Sequence, residues 1–353
     1  MTAFFSALEQ LCRPGEVSDL LIQPNQPLSC IRLGALETTG VLCTEPDFED
    51  LMGRMKLDLS TLTLGDRNCS WDHNGFRFRV HLFRERGRPK VTARLLPNKI
   101  YLPKDLRIPT QLLDAVMGCK KGDGGIILVS GATGSGKSTT IASAIQMWAR
   151  ANPGHVVTLE DPVEVFFEDA VPMQFSQREV GVDVLSFADG LVSAMREAPT
   201  VIFIGEIRDQ ASALAALDAA KTGHLVLTTL HTDRVHGAID SFLRNIPQSA
   251  VDAAVLTLSN KLRCVCCQRL YRNSAGTGMF AVHEILTIKA SSFAIKSHIL
   301  KREWSAIEGA VAVGSQHGHV SYKDSFAKAT NESLIRPHEV DALLTSIVGN
   351  LPK

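Results

Sequence analysis

No apolar stretch in this 353-residue sequence is long enough to span a bilayer, which excludes a protein built on membrane-crossing helices. Net charge is also absent. The 37 basic residues balance 37 acidic ones, so composition gives no sign of a surface committed to nucleic acid, and no basic, aromatic-rich groove signature is found. The opening residues, Met1-Thr2-Ala3-Phe4-Phe5, lack the basic n-region and long apolar core of a secretory signal. Phe4, Phe5, Leu8 and Leu11 instead fit one face of a short helix. The 8 cysteines form no disulfide framework. Only Cys264, Cys266 and Cys267 cluster, without the second pair that a metal site needs, so buried, reduced cytosolic thiols are expected.

The residues that are present describe a globular chain with a substantial core, 45% hydrophobic and 21% charged, and long enough for two domains. Residues 1–97 read as a small α+β domain. Asp19–Ile22 and Ser29–Leu33 are short strand candidates, Asp47–Leu57 suits a helix, and Phe76–Phe83 alternates with strand period. Gly87 marks a hairpin turn that returns through Val91–Leu96, and Pro97, Pro103 and Pro109 punctuate a linker over 98–110. From Gln111 to the end, 111–353, strands alternate with helices, which predicts an α/β domain with a parallel sheet covered on both faces. Strands are expected at Ile126–Ser130, His155–Leu159, Val201–Ile204 and His224–Thr229, and helices at Thr139–Ala151, Phe187–Arg196 and Gln210–Thr222. After Pro247 the pattern reads as mostly helical, with Ser249–Cys264, Ser291–Leu300 and Pro337–Ile347 as segments.

Gly131-Ala132-Thr133-Gly134-Ser135-Gly136-Lys137-Ser138 is a complete phosphate-binding loop, preceded by an apolar strand and opening into a helix at Thr139. Its glycines let backbone N–H groups converge on phosphate oxygens, and the helix N-terminus adds positive dipole there. Thr133 through Thr139 would hold the phosphates, with Lys137 reaching the β- and γ-phosphates and Ser138 holding Mg²⁺. ATP with Mg²⁺ is the expected ligand. Hydrolysis also needs carboxylates, and two acidic clusters follow apolar strands: Glu160-Asp161-Pro162-Val163-Glu164 and Gly205-Glu206-Ile207-Arg208-Asp209. In an open parallel sheet both would lie near the nucleotide, as would His231 at the end of a third strand.

Taken together, these blocks resemble the secretion ATPase superfamily, and within it the PilT/PilU-like retraction motors of type IV pili. The match runs through Gly131–Ser138, Thr158–Glu164, Gln177–Gly181 with Ser186-Phe187, Gly205–Asp209, Thr222–Leu225 through Thr232, and Phe280–Leu286. The resemblance implies a PAS-like N-terminal domain followed by a RecA-like P-loop ATPase domain with a helical C-terminal part. It implies Glu164 as the base that activates water, Glu206 as a Mg²⁺-side carboxylate acting through water, and His231 as the His-box histidine. It also implies Arg79 and Arg94 as arginines that reach a neighbouring subunit's nucleotide. The expected assembly is a homo-oligomeric ring, a hexamer, cytoplasmic and peripheral to the inner membrane through a platform protein, with a paralogous motor ATPase as a further partner. The four-cysteine zinc insertion of extension motors is missing, and the retraction-motor motif is only loosely echoed in Phe293–Lys301. An ATPase of a type IV secretion or conjugation system is therefore the alternative, with a RecA-like nucleic-acid motor behind it.

Overall fold

The computed structural model describes residues 2–13, 17–32, 35–58, 65–96, 99–120, 122–168, 173–276 and 278–348. Leu33 and Pro97 lie outside these residues. The chain divides into two compact units, Met1–Lys99 with Pro162–Phe166, and Ile100–Asp161 with Phe167–Lys353. The short segment 162–166 thus groups with the first unit although it interrupts the second in sequence. A single boundary near residue 100 does not capture this.

In the first unit, helix α1 (Ala3–Cys12) precedes strands β1 (Val17–Ile22), β2 (Gln26–Arg32) and β3 (Ala35–Cys43). Helix α2 (Glu45–Arg54) and strands β4 (Arg67–His73), β5 (Phe76–Glu85) and β6 (Arg88–Leu96) follow. The strands form one antiparallel sheet of order β3-β2-β1-β6-β5-β4. Alternation along β5 turns Phe78, Val80 and Leu82 into a core shared with Phe4, Phe5 and Leu8 of α1 and Phe48 and Leu51 of α2. Arg77 and Arg79 therefore take the other face. Helix α2 starts where Thr44 and Asp47 cap each other's backbone, a reciprocal capping box. Two tight turns set the register of the last three strands. Asn74-Gly75 and Arg86-Gly87 both have positive φ at both positions, the geometry that matches strand twist in two-residue hairpins.

The second unit contains α3 (Thr110–Met117), β7 (Gly125–Ser130), α4 (Lys137–Ala151), β8 (Gly154–Glu160), β9 (Met173–Glu179), α5 (Phe187–Ala194), β10 (Val201–Ile204), α6 (Gln210–Lys221) and β11 (Leu225–Leu230). It continues through α7 (Val235–Arg244), α8 (Val251–Lys261), β12 (Leu262–Arg272), β13 (Met279–Thr287), α9 (Phe293–Lys301), α10 (Trp304–Val313), α11 (Tyr322–Asn331) and α12 (Pro337–Val348). Its seven-stranded sheet has the order β13-β12-β7-β11-β10-β8-β9 and is parallel apart from the β12–β13 hairpin. Every residue of β7, β10 and β11 is buried, as expected for strands covered on both faces.

The region after Pro247 departs from the mostly helical expectation. Helix α8 stops at Lys261 and the chain re-enters the sheet as β12, so Cys264 lies on a strand rather than in a helix. The reason is local: Cys264-Val265-Cys266-Cys267 is a short unbroken apolar run, and such a run fits a buried strand as well as a buried helix. Cys264, Cys266 and Cys267 are buried and unbridged. Burial pushes the Cys266 thiol up to about 12.

The connection leaving β11 is fixed by a buried ion pair. Arg234 Nε lies 2.9 Å from Glu284 Oε1 on β13, and its Nη2 lies 2.5 Å from Glu308 Oε1 on α10. The Val235 N–H, at the start of α7, donates to Glu284 Oε2 at 2.8 Å. Removing the buried carboxylate with Glu284→Ala takes from the partly buried Arg234 its main partner and from the Val235 N–H its acceptor, and should cost about 3 kcal/mol. Urea unfolding of the two proteins should show a midpoint shift of that size.

Candidate nucleotide site

Strand β7 delivers the chain into the phosphate loop and α4 receives it. Gly131 has φ +149°, and a Cβ there would stand 2.2 Å from the Gln268 carbonyl oxygen. Gly136 has φ +84°, and its Cβ would meet Gln268 Nε2 at 3.0 Å. Side chains are excluded from both positions because another strand crosses directly behind the loop. Thr133 and Gly134 form an exposed tip, Ser135 and Lys137 are buried, and Ser138 and Thr139 occupy the first turn of α4. The Lys137 ammonium donates to the Gly131 and Ala132 carbonyls at 2.7 and 3.0 Å. It lies folded across the loop that it would otherwise extend from.

Gln268, which sequence reasoning passed over, is the strut behind this loop. Its Nε2 donates to the Ser135 carbonyl at 2.6 Å, and its Oε1 accepts from Thr140 Oγ1 at 2.8 Å. His283 on β13 approaches the same Oε1 at 3.3 Å through Nε2. One carboxamide therefore ties the turn of the loop and the first helical turn to the β12–β13 hairpin. The only sequence signal was a polar residue ending an apolar run, which on its own points to no partner. His283 is fully enclosed, and burial, with the nearby Lys328 charge, pulls its pKa from 6.5 to about 3, so it is neutral.

The neighbouring strand ends bring two other expected residues together. Glu206, just beyond β10, places Oε2 3.1 Å from His231 Nε2, just beyond β11. Arg208, also missed, pairs with the other Glu206 oxygen and reaches Asp161 at 3.6 Å, linking the two acidic clusters. Glu160 at the end of β8 is buried and accepts from Thr158 Oγ1 at 2.7 Å, a structural role. Ser130 Oγ donates to the Thr232 carbonyl at 2.7 Å, which holds the His231 segment beside the loop.

Glu164, Arg79 and Arg94 belong to the first unit. Arg94 on β6 stands directly opposite Arg79 on β5 and opposite Asp19 on β1. The Arg94 Nε lies 2.8 Å from Asp19 Oδ1. The two arginines are thus cross-strand neighbours on one sheet face, and Arg94 lies between Arg79 and Asp19.

The loop suits a triphosphate. Ser135 Oγ is buried without a hydrogen-bond partner among the described residues, and the loop glycines leave room for backbone N–H groups to approach phosphate oxygens. The Ser138 hydroxyl and the Glu206 carboxylate are oxygen donors of the kind a hard divalent cation accepts. One Glu206 oxygen is already paired with Arg208 and the other with His231 Nε2, which favours contact with such an ion through water. Among the described residues no group of three or more His, Cys, Asp or Glu could hold a metal. No helix among them is long and apolar enough to cross a membrane.

Gln268→Leu removes both arms of the strut at nearly constant volume, leaving a buried hydroxyl and carbonyl unpaired. It should destabilise the protein by roughly 2 kcal/mol and weaken ATP binding, read by thermal unfolding and by titration with a fluorescent nucleotide. His283 makes stability pH-dependent: the folded state refuses a proton that the unfolded chain takes up below about 6.5, so stability falls as pH drops through that value toward 3. Between pH 7.5 and 5 the loss should be about 2 kcal/mol. In His283→Gln that part of the slope should vanish from denaturant curves at the two pH values.

The family described as type II/IV secretion system protein matches residues 72–319 of this chain. A twitching motility protein of Neisseria gonorrhoeae is 34% identical over 264 residues, covering 75% of this chain and 68% of that protein. The type IV pilus retraction ATPase PilT of Pseudomonas aeruginosa is 34% identical over 253 residues, covering 71% of this chain and 72% of its own. Among solved structures, the pilus retraction motor PilT with bound ADP superposes with a TM-score of 0.83 at 30% identity, covering 96% of both chains. The Legionella pneumophila ATPase DotB reaches the same TM-score of 0.83 at 23% identity, which shows a shared fold. On its sequence, its fold and its phosphate loop, the chain belongs to the type II/IV secretion system protein family, as a PilT-like secretion ATPase.

Proposed function

We propose that this protein is a motor ATPase that hydrolyses ATP to power retraction and disassembly of a type IV pilus. The observation that carries this reading is the pairing of a complete phosphate loop with Glu206 and His231 at adjacent strand ends, in a chain similar to retraction motors over most of its length. In this reading ATP binds at Thr133–Thr139, and Glu164 takes the proton of the attacking water. Mg²⁺, when bound, neutralises charge on the phosphates from Ser138 and, through water, Glu206. Glu206 and His231, joined by a hydrogen bond, report the state of the γ-phosphate to the β11–α7 connection.

The first unit is read as the PAS-like domain and the second as the RecA-like core with a helical tail. The chain assembles as a homohexameric ring in which Arg79 and Arg94 serve a neighbouring subunit's nucleotide. Their adjacency supports this: two cross-strand arginines, of which Arg94 is paired with Asp19 on its far side from Arg79, favour an anion as a further partner. The ring works in the cytoplasm against an inner-membrane platform protein, alongside a paralogous motor, without direct contact to nucleic acid.

Purified protein should turn over ATP, and Glu164→Gln should lower kcat about 10²- to 10⁴-fold while ATP still binds. In the source cell, loss of the gene should leave pili extended and abolish twitching, and the Glu164→Gln allele should not restore it. If retraction persists and export of a protein or DNA substrate stops instead, the work belongs to a secretion or conjugation apparatus.

A further inference from the structure

Arg77 sits two residues from Arg79 on the same sheet face, yet it is buried where Arg79 is half-buried. What covers it is the Pro162–Phe166 segment of the same unit. The Arg77 Nε donates to the Val163 carbonyl at 2.7 Å, its Nη1 donates to Asp72 Oδ2 at 2.6 Å, and its guanidinium carbon lies 4.4 Å from the centre of the Phe166 ring. All three features of an arginine are in use: two donors in a fixed fork and a flat face stacked on an aromatic ring. Phe166 is 57% exposed, an unusual place for a large aromatic ring unless its partner is this cation.

Glu164 lies between the two contacts, one residue after the bonded carbonyl and two before the stacked ring. Fixing the backbone on both sides fixes the Cα from which the carboxylate projects. Val163 and Val165 are buried, but a cavity of about 340 Å³, lined by Asp72, His73, Asn74, Phe76, Val165 and Phe166 among others, remains beside the clamp, so packing does not hold the segment on every side. Directional contacts therefore set where the segment rests.

We propose that Arg77 is a positioning residue for ATP hydrolysis, clamping the Val163 carbonyl and the Phe166 ring so that Glu164 is carried by the first unit at a fixed place. The proposal rests on the assignment of Glu164 as the base. A carboxylate that must meet one water oxygen loses much of its effect when its support loosens by about an ångström, which can cost on the order of 10²-fold in rate. Turnover should suffer while ground-state nucleotide binding, which uses the loop of the second unit, should not.

The full-length chain should be compared as wild type, Arg77→Ala, Phe166→Leu, Glu164→Gln and Arg77→Ala/Glu164→Gln. Arg77→Ala should lower kcat about 10- to 100-fold with ATP affinity within about twofold of wild type. Phe166→Leu, at an exposed position that folding tolerates, should lower kcat in the same direction by a smaller factor. The double variant should be no slower than Glu164→Gln alone, because Arg77 acts only through that carboxylate. Hydrogen exchange across 162–168 should speed up in Arg77→Ala. Wild-type kcat in both Arg77→Ala and Phe166→Leu, or losses that multiply in the double variant, would overturn the proposal. If Glu164→Gln keeps full turnover, the base assignment fails separately. The clamp itself is then decided by hydrogen exchange, and unchanged exchange in Arg77→Ala rejects it.

Discussion

Parallel pairing in register of four strands governs the second unit. In the order β7-β11-β10-β8, Ser130 pairs with Leu230, Thr228 with Ile204, and Ile204 with Leu159. Strands that run the same way and end within two residues of one level release their following residues along one edge. That edge receives the phosphate loop, the His231 turn, Glu206 and the Glu160-Asp161 pair. No side chain had to be drawn from a distance to build the cluster. Because these strands are buried on both faces, their interiors carry almost no polar atoms, and the chemistry is confined to where they stop.

The hairpin that flanks this array does a different job. β12 lies beside β7 and continues past its end, so Gln268 arrives behind the loop rather than in front of it. A loop that depended on glycine alone would have many conformations to lose when phosphate binds. Here a carboxamide, a threonine hydroxyl and a neutral histidine hold part of it in advance. Ser130 and Thr232 make a similar tie on the β11 side.

Much of this was legible in the sequence, for physical reasons. The phosphate loop, its flanking strand and helix, and the strands before Glu160 and Glu206 are local patterns whose length and period leave little choice. β12 was not legible, since the four apolar residues Cys264–Cys267 are too few to show a period, and neither was β3, whose residues are mostly exposed and alternate weakly. The hairpin turn at Gly87 was read from the chain, whereas the Asn74-Gly75 turn, which fixes the start of the strand that carries Arg77 and Arg79, was passed over. Gln268 and Arg208 were invisible in another sense: each matters through a partner far away or through a charge that only the fold brings near. The grouping of 162–166 with the first unit is of the same kind, because nothing in Pro-Val-Glu-Val-Phe states which body will hold it.

That grouping has a consequence for how the protein can be taken apart. The chain passes from one unit to the other near residues 99, 161 and 166, so the first unit is not a continuous stretch of polypeptide. A fragment cut near residue 99 would keep the six strands and both helices but lose the carbonyl and the ring that shelter Arg77. It would expose a guanidinium group made for a dry setting, although its ion pair with Asp72 would remain. The two halves are separable as packed bodies and inseparable as gene segments, which makes any shuffling of the first half between relatives conditional on carrying five residues from the middle of the second.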